Sequence, residues 1–168
     1  IMTNKYIYFI ANWKMFGNLQ SLNSVSKVAS FVKKFKKNKI KLVYCPPATL
    51  INSLSKKLKS SPIDVGAQNC HQDETYGAYT GHMNPYMLKD AGAKYIILGH
   101  SENRQTGENN KLINLKIKNS IKSGLKIIFC IGETLSQKRK KNTKKILSQQ
   151  IIQGLKNVKN KKSIIIAY

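Results

Sequence analysis

Six apolar runs of β character begin near residues 6, 41, 63, 94, 125 and 163. The segments between them carry hydrophobic residues at three- and four-residue intervals. A chain that alternates strand and amphipathic helix in this way has to build a parallel sheet covered by helices, because each strand must cross over to rejoin its neighbour. The runs themselves, Tyr6 to Ala11, Lys41 to Cys45, Ile63 to Ala67, Tyr95 to Leu98, Leu125 to Cys130 and Ser163 to Tyr168, are almost unbroken in apolar character, as expected of strands buried on both faces. Helical stripes are predicted at Leu22, Val25, Val28, Ala29, Val32 and Phe35, running out in Lys33, Lys34, Lys36 and Lys37, and at Leu50, Ile51, Leu54 and Leu58. A short helix opens at Asn84-Pro85 and is closed by Gly92; another spans Leu112 to Ile121 and is closed by Gly124. The last stripe is Ile146, Leu147, Ile151, Ile152, Leu155 and Val158, with a basic, exposed approach from Lys138 to Lys145. This pattern fits a closed (β/α)8 barrel or an open doubly wound sheet equally well. Asn12-Trp13-Lys14, after the first strand, is not the glycine-rich fingerprint of a dinucleotide site.

In such folds the polar residues just past the C-terminal strand ends gather on one face. Asn12 and Lys14 follow the first strand, His100 the fourth and Glu133 the fifth, so they are expected around one mouth. Ser101 is the predicted N-cap of a helix opening after Gly99-His100, with Glu102 in its first turn. A cation, an amide and an imidazole can hold a phosphate and stabilise a developing enolate oxygen. A base is missing from the set.

The chain is long enough for one domain. Its net charge of +23 invites a nucleic-acid reading, but Arg104 and Arg139 are the only arginines, and dispersed lysines are ordinarily solvated surface. The alternative to an enzyme is a basic, non-enzymatic fragment binding anionic partners such as RNA, which steep salt dependence would reveal. Cys45, Cys70 and Cys130 have no metal-ligand spacing, so neither a metal, a disulfide framework nor another cofactor is expected. No apolar run approaches the roughly 20 residues that cross a bilayer; a soluble, cytoplasmic protein is expected.

Asn12-Trp13-Lys14-Met15, Gly66-Ala67-Gln68-Asn69-Cys70, Tyr79-Thr80-Gly81, Leu98-Gly99-His100-Ser101-Glu102 and Cys130-Ile131-Gly132-Glu133 together resemble the triosephosphate isomerase family, in order and in spacing, from about Phe9 to Tyr168. The resemblance implies an α/β TIM (β/α)8 barrel, here a partial barrel of about six β/α units forming one incomplete domain over residues 1–168. It implies interconversion of dihydroxyacetone phosphate and glyceraldehyde 3-phosphate through an enediol(ate), in glycolysis and gluconeogenesis. The family's established chemistry joins a glutamate base to a neutral histidine electrophile under a closing loop. By position, His100 is the electrophile, Lys14 meets the substrate's charge and Asn12 binds substrate, while Ser101, Glu102 and Cys130 support them, Glu102 by ordering Lys14. The family's glutamate follows an Ala-Tyr pair at the end of strand six. This sequence ends at Ala167-Tyr168, so the base is expected directly after Tyr168, and the chain as written is expected to be inactive alone. A homodimer is also implied, with Met15 and Thr80 at its interface and the long loop Gln68 to Met83 reaching the partner near Lys14. His82 and Asn103 stand where family members usually carry glutamate and arginine; the loss of that pair is expected to be compensated. No specific nucleic acid and no membrane are expected as partners.

Overall fold

The computed structural model describes residues 6–34 and 39–168. Phe35, Lys36 and Lys37, assigned above to the end of the first helix, lie outside the described residues. Strands β1 (Ile7–Asn12), β2 (Ile40–Cys45), β3 (Ile63–Ala67), β4 (Tyr95–Leu98), β5 (Lys126–Cys130) and β6 (Ile164–Ala167) form one sheet in sequence order. Every neighbouring pair is parallel. Helices α1 (Asn23–Lys34), α2 (Ala48–Lys57), α3 (Pro85–Asp90), α4 (Ser101–Gln105), α5 (Asn110–Lys122), α6 (Leu135–Arg139) and α7 (Thr143–Gly154) fill the crossovers. Two short 3-10 turns, Gln20–Leu22 and Lys161–Ser163, and helix α6 were not legible as periodic patterns, being shorter than two turns.

The sheet separates two apolar layers. Between sheet and helices lie Leu50, Ile51 and Leu54 of α2, Ile113 and Ile117 of α5, and strand residues such as Val65, Ile96, Leu98, Ile127 and Phe129. The inner face, turned away from the helices, buries Val43, Cys45, Tyr95, Ile97 and Ile128, with Tyr8, Ile10, Cys130, Ile165 and Ala167 packed on them. This two-sided burial explains the unbroken apolar runs. Asparagines start two helices: Asn84 accepts the Met87 amide at 2.8 Å and Asn109 that of Leu112 at 3.0 Å. Thr134 and Gln137 form a reciprocal capping box on α6.

Helix α7 departs from the predicted stripe in part: Ile146, Leu147 and Leu155 are half-buried and Val158 is buried, as expected. Ile151 and Ile152 are exposed, and the helix buries Gln150 and Gly154 instead. The reason is Phe129: a Cβ on Gly154 would sit 2.4 Å from its ring, so only glycine permits this approach. Gly154→Ala should therefore destabilise the fold by about 1–3 kcal/mol through overpacking, measured by urea unfolding.

Candidate active site

β1 ends at Asn12, and the chain then turns through Lys14 with φ +52°, a conformation that costs a side-chain-bearing residue energy unless its surroundings impose it. Two side chains do so. Asn12 Oδ1 accepts the Lys14 backbone N–H at 2.9 Å, and Gln68 Nε2 donates to the Lys14 carbonyl at 2.8 Å while also bonding the Cys45 carbonyl at 2.8 Å. Gln68 thus ties the ends of β1 and β2 to the start of the long loop.

The second half of the site comes from β4. Gly99 has φ +76°, and a Cβ there would lie 2.9 Å from both the Cys130 carbonyl and the Arg104 guanidinium, so glycine is needed twice over. His100, not Ser101, is the N-cap of α4: its Nδ1 accepts the Glu102 backbone N–H at 3.3 Å. Ser101 becomes the first helical residue, because the imidazole nitrogen supplies the acceptor that a hydroxyl was expected to supply. Accepting that proton makes Nδ1 the lone-pair nitrogen and assigns the ring proton of the neutral tautomer to Nε2. Glu102 Oε2, also 3.3 Å from Nδ1, offers a protonated ring an alternative only at the expense of the cap.

Glu102 joins the halves through Oε1, 2.8 Å from Lys14 Nζ. The Lys14 hydrogen bond is the main cause holding the Glu102 carboxyl below its ordinary range; burial opposes it, and the charges of Lys14 and His100 add to it. Both side chains are half exposed, 50% and 53%, so the pair orients Lys14 more than it stabilises the fold. Because the folded-state value is depressed, its contribution is present above about pH 4–4.5 and fades as pH falls through the lowered value. An NMR titration of the Glu102 carboxyl should show this depression in the intact chain and its loss in Lys14→Met. A cleft of about 140 Å³ lies over these groups, lined by Asn12, Lys14, Gln68, Asn69, His100 and Glu102.

A sequence model of the triosephosphate isomerase family matches residues 7–168. The chain belongs to the triosephosphate isomerase family. Triosephosphate isomerase of Dictyoglomus turgidum is 38% identical over 166 residues, which make up 94% of this chain and 64% of that protein. The enzyme of that name from Thermodesulfovibrio yellowstonii is 40% identical over 169 residues, 99% of this chain and 67% of the relative. The crystal structure of triosephosphate isomerase from Bartonella henselae superposes with a TM-score of 0.87 at 34% identity, covering 96% of this chain and 65% of that one. The chain thus spans about 64% of the length of the first of these relatives, and its six parallel strands are a partial barrel of the family's α/β fold.

Within this triosephosphate isomerase scaffold, Glu133 does not join the Lys14–His100 group. It accepts hydrogen bonds from Thr143 Oγ1 at 2.9 Å and Tyr168 OH at 3.3 Å. Its own backbone amide and Thr143 hold its carboxyl low. Cys130 lies on the inner face, where burial raises its pKa against the opposing charge of Arg104. Burial also pushes Cys45 to about 12 and Cys70 to about 11, so none of the three free thiols is a ready nucleophile. Among the described residues no three His, Cys, Asp or Glu side chains gather as metal ligands, and no helix is long and apolar enough to cross a membrane.

The long loop is pinned at its base by His71 N–H to the Met83 carbonyl, 2.8 Å, and by Asn119 Nδ2 to the Gln72 carbonyl, 2.6 Å. His82 stacks edge-on against His71, ring centroids 4.9 Å apart, and Asn103 sits beside Glu102 at the cleft. Thr80 is exposed on this loop, and Met15 is 94% exposed.

Proposed function

We propose that this chain carries the substrate-polarising part of a triosephosphate isomerase site, acting on dihydroxyacetone phosphate and glyceraldehyde 3-phosphate in glycolysis and gluconeogenesis. The observation that carries the reading is Glu102, whose carboxylate holds Lys14 Nζ and whose backbone N–H donates to His100 Nδ1, bringing the ends of β1 and β4 together with the Nε2–H of His100 left to donate. In this reading Nε2–H bonds the substrate carbonyl oxygen and strengthens that bond as the oxygen becomes an enediolate. Lys14 meets the phosphate charge, and the amide group of Asn12, whose oxygen holds the Lys14 turn, turns its nitrogen to substrate. Ser101 and Cys130 are supporting residues. In this reading the proton is removed by a carboxylate expected directly after Tyr168.

The test joins this chain after Tyr168 to the segment that follows the equivalent point in the Dictyoglomus turgidum relative. Isomerase activity is expected in the fusion and not in the unextended chain; a fusion that folds, by circular dichroism and cooperative melting, yet shows no turnover would overturn the reading.

The same proposal includes a homodimer, supported by Met15 and Phe16, exposed after β1, and by Tyr76 and Tyr79, exposed with Thr80 on the long loop. Met15→Asp should shift the fusion from dimer to monomer in sedimentation velocity. Three free cysteines fit a reducing, cytoplasmic setting.

A further inference from the structure

Arg104 begins in α4 but reaches back under the site. Its Nε donates to the Gly99 carbonyl at 2.7 Å, Nη1 to Asn110 Oδ1 at 2.7 Å and Nη2 to the Cys130 carbonyl at 3.2 Å. All three acceptors are neutral, and no carboxylate among the described residues forms an ion pair with this half-buried guanidinium. A guanidinium has five N–H groups, so one remains on each terminal nitrogen.

Beside it lies a recess of about 230 Å³ between α5 and α7, lined by Arg104, Asn109, Gln137, Ile146, Gln149 and Gln150. The carbonyl oxygens of its amides are largely spent inside the protein. Asn109 Oδ1 takes the Leu112 amide, Gln137 Oε1 takes the Thr134 amide at 2.9 Å, and Gln150 Oε1 takes the Gly132 amide at 2.8 Å. Uncommitted among the lining groups are the NH₂ groups of Asn109 and Gln137, the amide of Gln149 and one N–H on each terminal nitrogen of Arg104. No acidic side chain lines it. At roughly 30 Å³ per water, the space holds a tetrahedral oxyanion with a few waters.

We propose that this recess binds a small tetrahedral oxyanion, inorganic phosphate or sulfate or the phosphate of a monoester, at a place separate from the His100 cleft. The arginine that would hold the anion also holds the carbonyl of Gly99, the residue before His100. Occupancy is therefore felt at the histidine through one side chain. The chain's net charge of +23 raises the local concentration of such anions.

The test titrates sodium sulfate into the 168-residue chain at constant ionic strength and follows the side-chain amide resonances of Asn109, Gln137 and Gln149 and the Arg104 Nε–H. Saturable shifts are expected. Asn109→Asp keeps the cap of α5, since aspartate caps as well as asparagine, and Gln149→Glu changes an exposed position; each places a carboxylate at the recess. Binding should weaken by about tenfold or more in either variant and stay within about twofold in Lys14→Gln. Equal affinity for inorganic and methyl phosphate assigns the free ion as ligand, and tighter methyl phosphate assigns a monoester. Shifts that never saturate, shifts confined to Lys14 and His100, or undiminished binding in Asn109→Asp would overturn the proposal. Failure of isomerase activity in the fusion would leave this result standing.

Discussion

Replacing Lys116 with methionine is expected to destabilise the fold by about 3–5 kcal/mol, the cost of leaving a buried charge without its partner. Lys116 and Glu108 are 6% and 10% exposed, and Lys116 Nζ is bonded to Glu108 Oε1. Asn69 completes the group, donating to Glu108 Oε1 at 2.8 Å and accepting from Lys116 at 3.1 Å. The other carboxylate oxygen, Glu108 Oε2, is buried with no partner among the described residues. Removing the ammonium leaves the carboxylate two choices, to stay ionised in a poor solvent or to take up a proton, and both cost stability at neutral pH. A competing effect limits the loss: Glu108 and Lys116 line a cavity of about 340 Å³ under the long loop, wide enough for water to reach the group. The double change Lys116→Met with Glu108→Leu separates the two effects. It should recover most of the single variant's loss, because a buried pair is often no better than apolar side chains of similar volume. Urea unfolding of the four proteins gives the cycle. A single-variant loss under about 1 kcal/mol would mean that water, not Lys116, solvates Glu108.

The strands were legible in the sequence almost to the residue because both their faces are buried. Ile63–Ala67 and Tyr95–Leu98 have the predicted bounds, and the other four differ by about one residue at either end. The family strings also picked out the residues that Glu102 brings together. What the sequence concealed lies in long-range bonds from side chains to backbone. Gln68 holds the carbonyl of Lys14, 54 positions away, and Arg104 that of Cys130, 26 away. Gln150 grips both the N–H and the carbonyl of Gly132. Such partners depend on which loops the closing sheet brings together, and no local pattern encodes them. The cap at His100 escaped for another reason. Propensity favours Ser101, and only the geometry after Gly99 brings an imidazole nitrogen to the amide of Glu102. At Ile151 and Ile152 of α7 the periodicity fails, where Gly154 lies too close to Phe129 for any side chain, while the flanking Leu155 and Val158 pack on the core as the stripe predicts.

The largest effect on activity is expected at His100 in the fused, active form. His100→Gln keeps an amide that can donate to the carbonyl but lacks the ring whose Nδ1 is fixed by α4. The loss should fall on kcat, by about 10²–10³-fold, the usual consequence of removing one donor to a developing oxyanion, with KM changed little. Lys14→Met should behave differently. In the proposed site the ammonium meets a charge that the substrate carries before, during and after proton transfer, so its loss is expected to weaken ground and transition states together and to appear mainly as a higher KM. Glu102→Gln distinguishes orientation from charge: the lysine stays cationic but loses the carboxylate that holds it at 2.8 Å. An intermediate KM with a nearly unchanged kcat is the expected result. If His100→Gln instead raised KM and spared kcat, the histidine would be a binding group, and polarisation of the carbonyl would have to be reassigned to Lys14 or Asn12. The Nδ1 contact with the α4 amide argues against that outcome, since it holds the ring and selects the nitrogen that carries the proton before any substrate arrives.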